Sequence, residues 1–408
     1  MTHTTSAATP TATPTLPRTT VVLLAAAVGS VIANLYYAQP LEHTLARAFE
    51  VSDRALGLAM TLILVGYAVG LATLVPLGDL LERRRLMVPM LAVNVAGLVA
   101  MATATGYAVF VVAAALVGVT AVAVQVMVPF AAELAPPERR GRVIGTVMSG
   151  LLVGVLLSRT VAGLVSGAAG WRAVFWFAAA LTALVTVLLW WRLPVVQPRV
   201  RMRYPALLGS VLALVREEPV LRRRMLYGGL CFASFNAFWT ASAFMLAGAP
   251  YRWTTTAIGL FALVGVAGAL GARLAGRLVD RGHASRAMPV FLLATALSFG
   301  LIALGQHWLA ALVVGVVVMD LASQAVHISN QNVVYALRPQ ARSRINTAYM
   351  TSYFVAGSVG SGLSAVVYPV FGWTGVGVLG FALPALAALT WFARDSKGSH
   401  TAHQGGQR

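Results

Sequence analysis

The chain alternates long apolar segments with short arginine-rich loops, and this alternation constrains the fold more than any other feature. About six apolar segments of roughly 20 residues lie on each side of one polar stretch, residues 192–224. Because a helix rises about 1.5 Å per residue, each segment is long enough to cross the ~30 Å hydrocarbon core of a bilayer. The sequence therefore predicts an all-α polytopic membrane protein with twelve transmembrane helices.

The placement of the basic residues predicts the orientation of these helices. The formal net charge of +18 would suggest a nucleic-acid partner in a soluble protein, but only 10% of the residues are charged, against about 25% in soluble proteins. Of the 30 Lys and Arg, about 24 fall in alternate loops and in the tails, as the positive-inside rule describes. We expect both termini and the central linker in the cytoplasm, anionic membrane lipids as partners, and no nucleic acid.

Motifs of enzymes and of metal sites are absent from the sequence. It contains no phosphate-binding loop, no metal-ligand spacing of Cys and His, and no nucleophile elbow. The single cysteine, Cys231, excludes a disulfide framework within the chain. We expect a protein that is not an enzyme and that has no cofactor and no metal.

The two halves of the chain repeat each other at a shift of 202 positions, which places Asn34 on Asn236 and Tyr37 on Trp239. Two parallel six-helix repeats joined by a cytoplasmic linker are the build of transporters whose halves rock about a central site. The predicted domains are a disordered tail (1–18), an N-terminal six-helix bundle (19–193), a linker (194–222), a C-terminal six-helix bundle (223–393) and a second cytoplasmic tail (394–408).

Two loops and two helix segments carry a family resemblance. Residues 276–281, Gly-Arg-Leu-Val-Asp-Arg, are similar to the Gly-x-Leu-x-Asp-Arg loop motif of the major facilitator superfamily, and residues 78–83 are a first-half copy with Glu for Asp. The chain resembles this superfamily over about residues 19–393. The run Asn-Leu-Tyr-Tyr-Ala-Gln-Pro-Leu at 34–41 and the helix with Arg159 resemble a bacterial branch grouped with drug:proton antiporters.

The loop motifs predict a gate at the cytoplasmic face. Their carboxylates can cap the next helix or pair with arginines, and we expect Glu82 and Asp280 to pair with partners such as Arg142 and Arg344 in one state. The alternative is that these loops only determine topology. The candidate gate residues are Gly78, Asp79, Glu82, Arg83, Gly276, Asp280, Arg281, Arg142 and Arg344.

Ionisable residues inside the apolar segments are candidates for the functional site. Arg159 lies midway along its helix, where a charge needs water or a partner. Asp320 begins a polar row whose spacing places all four residues on one helix face, and a carboxylate or a histidine there can exchange protons. The alternatives are a fixed ion pair for Arg159 and a structural hydrogen-bond network for the row. This row is Asp320, Gln324, His327 and Gln331, with Asp320 and His327 as proton-coupling candidates.

The repeat supplies an opposite wall of amides and aromatic rings, which suits a neutral or weakly amphipathic small molecule. Ordinary anchoring at the membrane interface is the alternative for Tyr37 and Trp239. The candidate substrate-contact residues are Asn34, Tyr37, Gln125, Arg159, Asn236, Trp239, Gln324 and Gln331.

By resemblance, these features predict a secondary transporter in the inner membrane of a bacterium. It would export small organic compounds, drug-like or metabolites, in exchange for protons by rocker-switch alternating access, and it would act as a monomer. One alternative is proton-coupled or facilitative uptake of a sugar or organic acid. Another is a membrane sensor or scaffold that transports nothing.

Overall fold

The structure, a computed structural model, describes residues 17–196, 202–266, 271 and 284–394. These residues form helices joined by short turns, and none of them lies in a β-strand. Nine of the described helices are long and apolar enough to cross a membrane. One of these, Arg342–Arg394, is broken at Gly372 (φ 62°) and supplies two segments; with the shorter apolar helices Arg18–Ala33 and Thr255–Gly265, the total is twelve. The predicted fold class is confirmed.

The described part of the first half of the chain, residues 17–196, contains eight α-helices. They are α1 (Arg18–Ala33), α2 (Glu42–Ala48), α3 (Asp53–Leu80), α4 (Arg83–Thr103), α5 (Tyr107–Ala121), α6 (Ala123–Leu134), α7 (Arg140–Ala169) and α8 (Trp171–Arg192).

A linker helix, α9 (Tyr204–Glu217), precedes the second half of the chain. The described helices of the second half are α10 (Pro219–Ala247), α11 (Thr255–Phe261), α12 (Ala284–Leu304), α13 (Leu309–Leu337) and α14 (Arg342–Arg394).

The first predicted segment, residues 19–41, is not one continuous helix. The α1 helix ends at Ala33, residues 34–38 form a turn, and a 3-10 turn at Gln39–Leu41 leads into α2. Pro40 has no backbone N–H and therefore cannot donate the hydrogen bond to the Tyr36 carbonyl that a continuous α-helix would contain. The break buries the polar residues of this segment rather than leaving them at the membrane interface.

The linker also contains structure that was not predicted. Residues 204–217 form α9, whose buried Leu207 and Leu214 are seven residues apart and therefore share one face. The Tyr204 hydroxyl donates to the Thr73 carbonyl of α3 at 2.8 Å. Beyond α9, Glu218 pairs with Arg338 at 2.6 Å, which ties the linker to the loop before α14. The linker thus contacts both halves of the chain.

Glycines allow α1 and α7 to pack at backbone contact. A Cβ atom added to Gly154 would overlap the carbonyl group of Gly29, and one on Gly150 would overlap that of Ala25. Small residues at such crossings let helices approach closely in lipid, where packing rather than hydrophobic burial drives association. This pair of helices fixes the position of α7, which carries Arg159.

We predict that Gly154→Ala destabilises the protein, because its methyl group can fit only if α1 and α7 move apart. Overpacking of this kind typically costs about 1–3 kcal/mol. The matched control is Gly145→Ala on the same helix, where a Cβ would meet no atom within 4 Å. Thermal unfolding of the purified proteins would test this. A melting temperature for Gly154→Ala equal to that of Gly145→Ala would contradict the packing argument.

Candidate substrate and proton site

Arg159 of α7 lies where the two halves of the chain meet. Its side chain is 5% exposed. Its Nε donates to the Oε1 atom of Gln39 at 2.7 Å, and its guanidinium carbon lies 4.8 Å from the ring centre of Tyr36 and 4.3 Å from that of Trp239. An arginine between two aromatic faces gains cation–π stabilisation, which is larger away from water. Tyr36 and Gln39 come from the turn after α1, and Trp239 comes from α10.

Asp320 of α13 lies close to the same tryptophan. The 3-10 turn Ala262–Val266 passes between them, and a Cβ on Gly265 would be 2.8 Å from the Oδ2 atom of Asp320 and 4.0 Å from the Trp239 ring. The charges of Asp320 and Arg159 interact, although no ion pair within 4 Å joins these two described residues. We name Tyr36, Gln39, Arg159, Trp239 and Asp320 the charged centre.

Several polar atoms of the charged centre are buried without a partner among the described residues. They are Nη2 of Arg159, Nε1 of Trp239 and Oδ1 of Asp320. A cavity beside them, lined by Arg159, Gln39, Trp239 and Ser242, has room for about one water molecule. Buried polar groups in proteins normally have partners, so the two N–H donors can bind water or a polar ligand, and the Asp320 oxygen can accept from water or bind a proton.

A second group of residues lies farther along α13 and contains His327. The seven residues from Asp320 to His327 span about 10 Å of helix. His327 Nδ1 is 3.3 Å from the Tyr349 hydroxyl, and the His327 ring centre is 4.5 Å from that of Tyr353, which stacks on Phe232 at 3.9 Å. We name His327, Tyr349, Tyr353, Phe232 and Phe354 the aromatic cluster.

The remaining predicted contact residues are divided between these two groups and the protein core. Gln125 donates to the Tyr67 hydroxyl at 3.2 Å, and Tyr67 meets the Phe354 ring at 4.3 Å, so both adjoin the aromatic cluster. Gln324 and Gln331 are half-buried on α13. Gln331 approaches the sulfur of Met350 at 3.9 Å.

Two predicted asparagines make structural contacts through their amide N–H groups, and the Oδ1 atom of each is buried without a partner among the described residues. Asn34 donates to Asn94 Oδ1 at 2.9 Å and to Thr182 Oγ1 at 3.1 Å, which ties the end of α1 to α4 and α8. Asn236 donates to the Phe232 carbonyl of its own helix at 2.9 Å. Tyr37 belongs to the hydrophobic core, whereas its neighbour Tyr36, which was not predicted, faces Arg159. Gln39 was also missed, although it lies in the run that prompted the family resemblance.

The carboxylate of the first loop motif is occupied as a helix cap. Glu82 caps α4, accepting from the backbone N–H groups of Arg84 at 2.9 Å and Arg85 at 2.8 Å. In this conformation Glu82 therefore has the capping role, one of the two roles expected of it, and its pairing with Arg142 or Arg344 stays a prediction for another state.

Arg83 makes the contacts that hold the first loop in place. It donates to the Gly78 carbonyl at 3.2 Å and pairs with Glu133 at 2.9 Å. Asp79 accepts from the Ser343 hydroxyl at 2.9 Å and so links α3 to α14. The second copy of the motif, with Gly276, Asp280 and Arg281, lies outside the described residues.

The end of the molecule that holds the loops 49–53 and 248–254, here called the arginine-poor end, is closed by direct contacts between the halves. The Thr44 and Thr255 hydroxyls are 3.0 Å apart, and Thr160 donates to the Gly259 carbonyl at 3.0 Å. A Cβ on Gly163 would lie 2.8 Å from the Cα of Gly259, so α7 and α11 touch at their backbones.

The opposite, arginine-rich end is less tightly covered along α7. Within this helix, residues 148–157 include no fully buried side chain, whereas residues 158–160 are all buried. On α13, Gln324, His327 and Gln331 are likewise only half-buried. The aromatic cluster thus lies between the closed charged centre and the arginine-rich end.

Comparison with known proteins identifies the family. The profile described as Major Facilitator Superfamily matches residues 21–306 and 229–407. The chain belongs to the Major Facilitator Superfamily. It is 45% identical over 372 residues, 91% of the chain, to the uncharacterized transporter YgaY of Escherichia coli O157:H7, of which 94% is covered. It is 34% identical to the probable transporter SCO4007 of Streptomyces coelicolor, covering 87% of the chain and 82% of that protein. This superfamily member is thus a multi-pass membrane transporter.

Solved structures of the superfamily share the fold at low sequence identity. A mutant of the nucleoside transporter NupG superposes with a TM-score of 0.75 at 13% identity, over 91% of this chain and 99% of that one. A D-xylose-proton symporter gives 0.72 at 15% identity, over 91% and 97%. At such identities the likeness concerns the fold alone, because one fold serves many substrates.

We predict that cysteines replacing Thr44 and Thr255 form a disulfide bond across the arginine-poor end. The 3.0 Å distance between the hydroxyls brings these side chains within bonding range. In a Cys231→Ser background, mild oxidation should give the bridged peptides in mass spectrometry and should abolish transport until the bond is reduced. Each single-cysteine variant is the control. Full transport by the bridged protein would show that this end does not need to open.

Proposed function

We propose that this protein is a secondary active transporter that exports small organic compounds in exchange for protons. The observation that carries the proposal is the charged centre. It brings a buried arginine and a buried carboxylate together at the junction of the two halves, among polar atoms without partners in the described part of the chain. Charges are rare inside membrane helices and usually mark ion or substrate pathways.

The two halves both contribute to the surroundings of Arg159. Gln39 and Tyr36 belong to the first half and move with α1, whereas Trp239 and Asp320 belong to the second half. When the halves rock, Arg159 must exchange some of these contacts for others. The charge state of Asp320 would then depend on the distance of Arg159, since a nearby positive charge favours the ionised carboxylate. This dependence gives a physical coupling between protonation and conformation.

The aromatic cluster supports binding of a flat or weakly amphipathic organic molecule. Rings of Tyr353, Phe232 and Phe354 offer planar apolar surface, and the half-buried Gln125 and Gln331 offer hydrogen bonds beside it. Such a combination of apolar lining with a few polar groups is usual in small-molecule sites. We place substrate binding here and proton binding at the charged centre, with Asp320 as the coupling residue and His327 as the second candidate.

We also propose the orientation and setting of the transporter. The arginine-rich end would face the cytoplasm of a bacterium, with both termini inside, because arginine is retained on that side of the inner membrane. The division into bundles at 19–193 and 223–393 is part of the same proposal, as is a monomeric state. Asp79 and Arg83, with their second-half counterparts Asp280 and Arg281, would act at the cytoplasmic gate.

We predict that a substrate discharges an acid-inside proton gradient in inside-out membrane vesicles and that Asp320→Asn abolishes this response. Asparagine keeps the shape of the side chain but cannot carry a proton. A pH-sensitive dye inside the vesicles would report the discharge for a panel of drugs, sugars and organic acids. Glu138→Gln, at an exposed loop position, is the matched control and should discharge the gradient as the wild type does.

Two results would change this assignment. If a compound discharges the gradient equally in Asp320→Asn, the exporter role stands but the coupling residue lies elsewhere, with His327→Gln as the next variant. If no compound discharges it although the protein is present and folded, labelled nutrients offered to intact cells would test the alternative of proton-coupled or facilitative uptake. A failure of both assays would favour the sensor or scaffold.

A further inference from the structure

Glu42, the first residue of α2, is a buried acid that lies outside the predicted site residues. Its side chain is fully buried, and neither carboxylate oxygen has a hydrogen-bond partner among the described residues. It follows Gln39 by three residues, and Gln39 holds Arg159 at 2.7 Å. A carboxylate in this condition is unusual, because buried charges in proteins are normally paired and hydrogen-bonded.

The elements packed around Glu42 present few charges. Arg159 of α7 attracts its carboxylate, whereas Asp53 of α3 repels it, and His43 lies near Asp53. On α10, which also packs against α2, residues 236–247 contain no ionisable side chain. The turn after α1 carries two further ionisable side chains, Tyr36, which faces Arg159, and Tyr37. Arg159 is thus the one positive charge at the charged centre within these described elements.

Among the described residues, the charges around Arg159 balance only if the region holds a proton. Arg159 carries one positive charge, and it interacts with both Asp320 and Glu42. With both carboxylates ionised, a net negative charge would remain in a region where Glu42 is fully buried and Asp320 is 4% exposed. An uncompensated buried charge is strongly unfavourable, and a group in that position neutralises by binding a proton.

Glu42, rather than Asp320, is the better candidate for this proton. Both Glu42 oxygens are fully buried without a partner among the described residues, whereas this is so of only one oxygen of Asp320, Oδ1. Glu42 is also repelled by the negative charge of Asp53, whereas the charge that acts on Asp320 is the positive charge of Arg159, which attracts its carboxylate.

We propose that Glu42 is a proton-binding site that is occupied while the arginine-poor end is closed. The carboxylate takes up one proton from water to form the neutral acid and returns it when that end opens. Two residues further on, Thr44 makes the contact with Thr255 that closes this end, so separation of these threonines exposes Glu42. The part of Glu42 in transport rests on the proposed proton exchange, whereas the protonation itself does not.

Infrared spectroscopy of the purified full-length protein in lipid membranes tests the protonation directly. The carbonyl stretching band of a neutral carboxylic acid should be present in the wild type at neutral pH and absent in Glu42→Gln. Glu138→Gln should keep the band, and isotope labelling of the glutamate carboxyls, but not of the aspartate carboxyls, should shift it to lower frequency, which assigns the proton to Glu42 rather than to Asp320. An undiminished band in Glu42→Gln would overturn the proposal.

Thermal stability provides an independent check that Glu42→Gln is folded and neutral in effect. A neutral glutamic acid and glutamine differ little in shape and charge, so the melting temperature should match that of the wild type at neutral pH. A large fall would indicate that an ionised Glu42 stabilises Arg159, which contradicts the proposal. Loss of the infrared band in Glu42→Gln together with no proton exchange in vesicles would retain the proton site and reject antiport.

Discussion

The placement of one positive charge inside the membrane governs the organisation of this protein. Arg159 cannot lose its charge at ordinary pH, so the fold must surround it with groups that stabilise a cation. It does so with an amide oxygen from Gln39 and two aromatic faces rather than with a direct ion pair. No carboxylate of the described residues is bound tightly to the guanidinium. The acids near it can therefore bind and release a proton more readily than they could within a direct salt bridge.

This arrangement depends on how closely the helices approach one another. Gly154 lets α7 pack on α1, which positions the guanidinium beside the turn that carries Gln39. Gly163 and Gly259 let α7 pack on α11, which brings the second half against the same helix. Glycine at these crossings therefore determines both the stability of the first half and the closure of the arginine-poor end. One side of α7 thus packs on its own half of the chain, and the other side packs on the second half.

Hydropathy and charge spacing predicted the fold well, because a bilayer demands apolar segments of a set length and selects the side on which arginine stays. The sequence also indicated Arg159 and Asp320, since a charge in such a segment is exceptional. It failed where tertiary contacts decide. Tyr36 and Tyr37 are adjacent aromatic residues that only a broken helix distinguishes, and the Asn34 amide donates to Asn94 and Thr182, residues distant in sequence. Glu42 was not among the candidates, because its burial depends on chain segments distant in sequence.

The break after α1 has a consequence for how the chain enters the membrane. Sixteen residues of helix extend about 24 Å, less than the ~30 Å of hydrocarbon that a spanning helix must cross. The remaining depth is covered by a turn whose polar groups find partners on α4, α7 and α8. Irregular backbone at that depth is stable only when protein surrounds it. The first segment therefore attains its native position late in biogenesis, once helices synthesised more than a hundred residues later have arrived to enclose it.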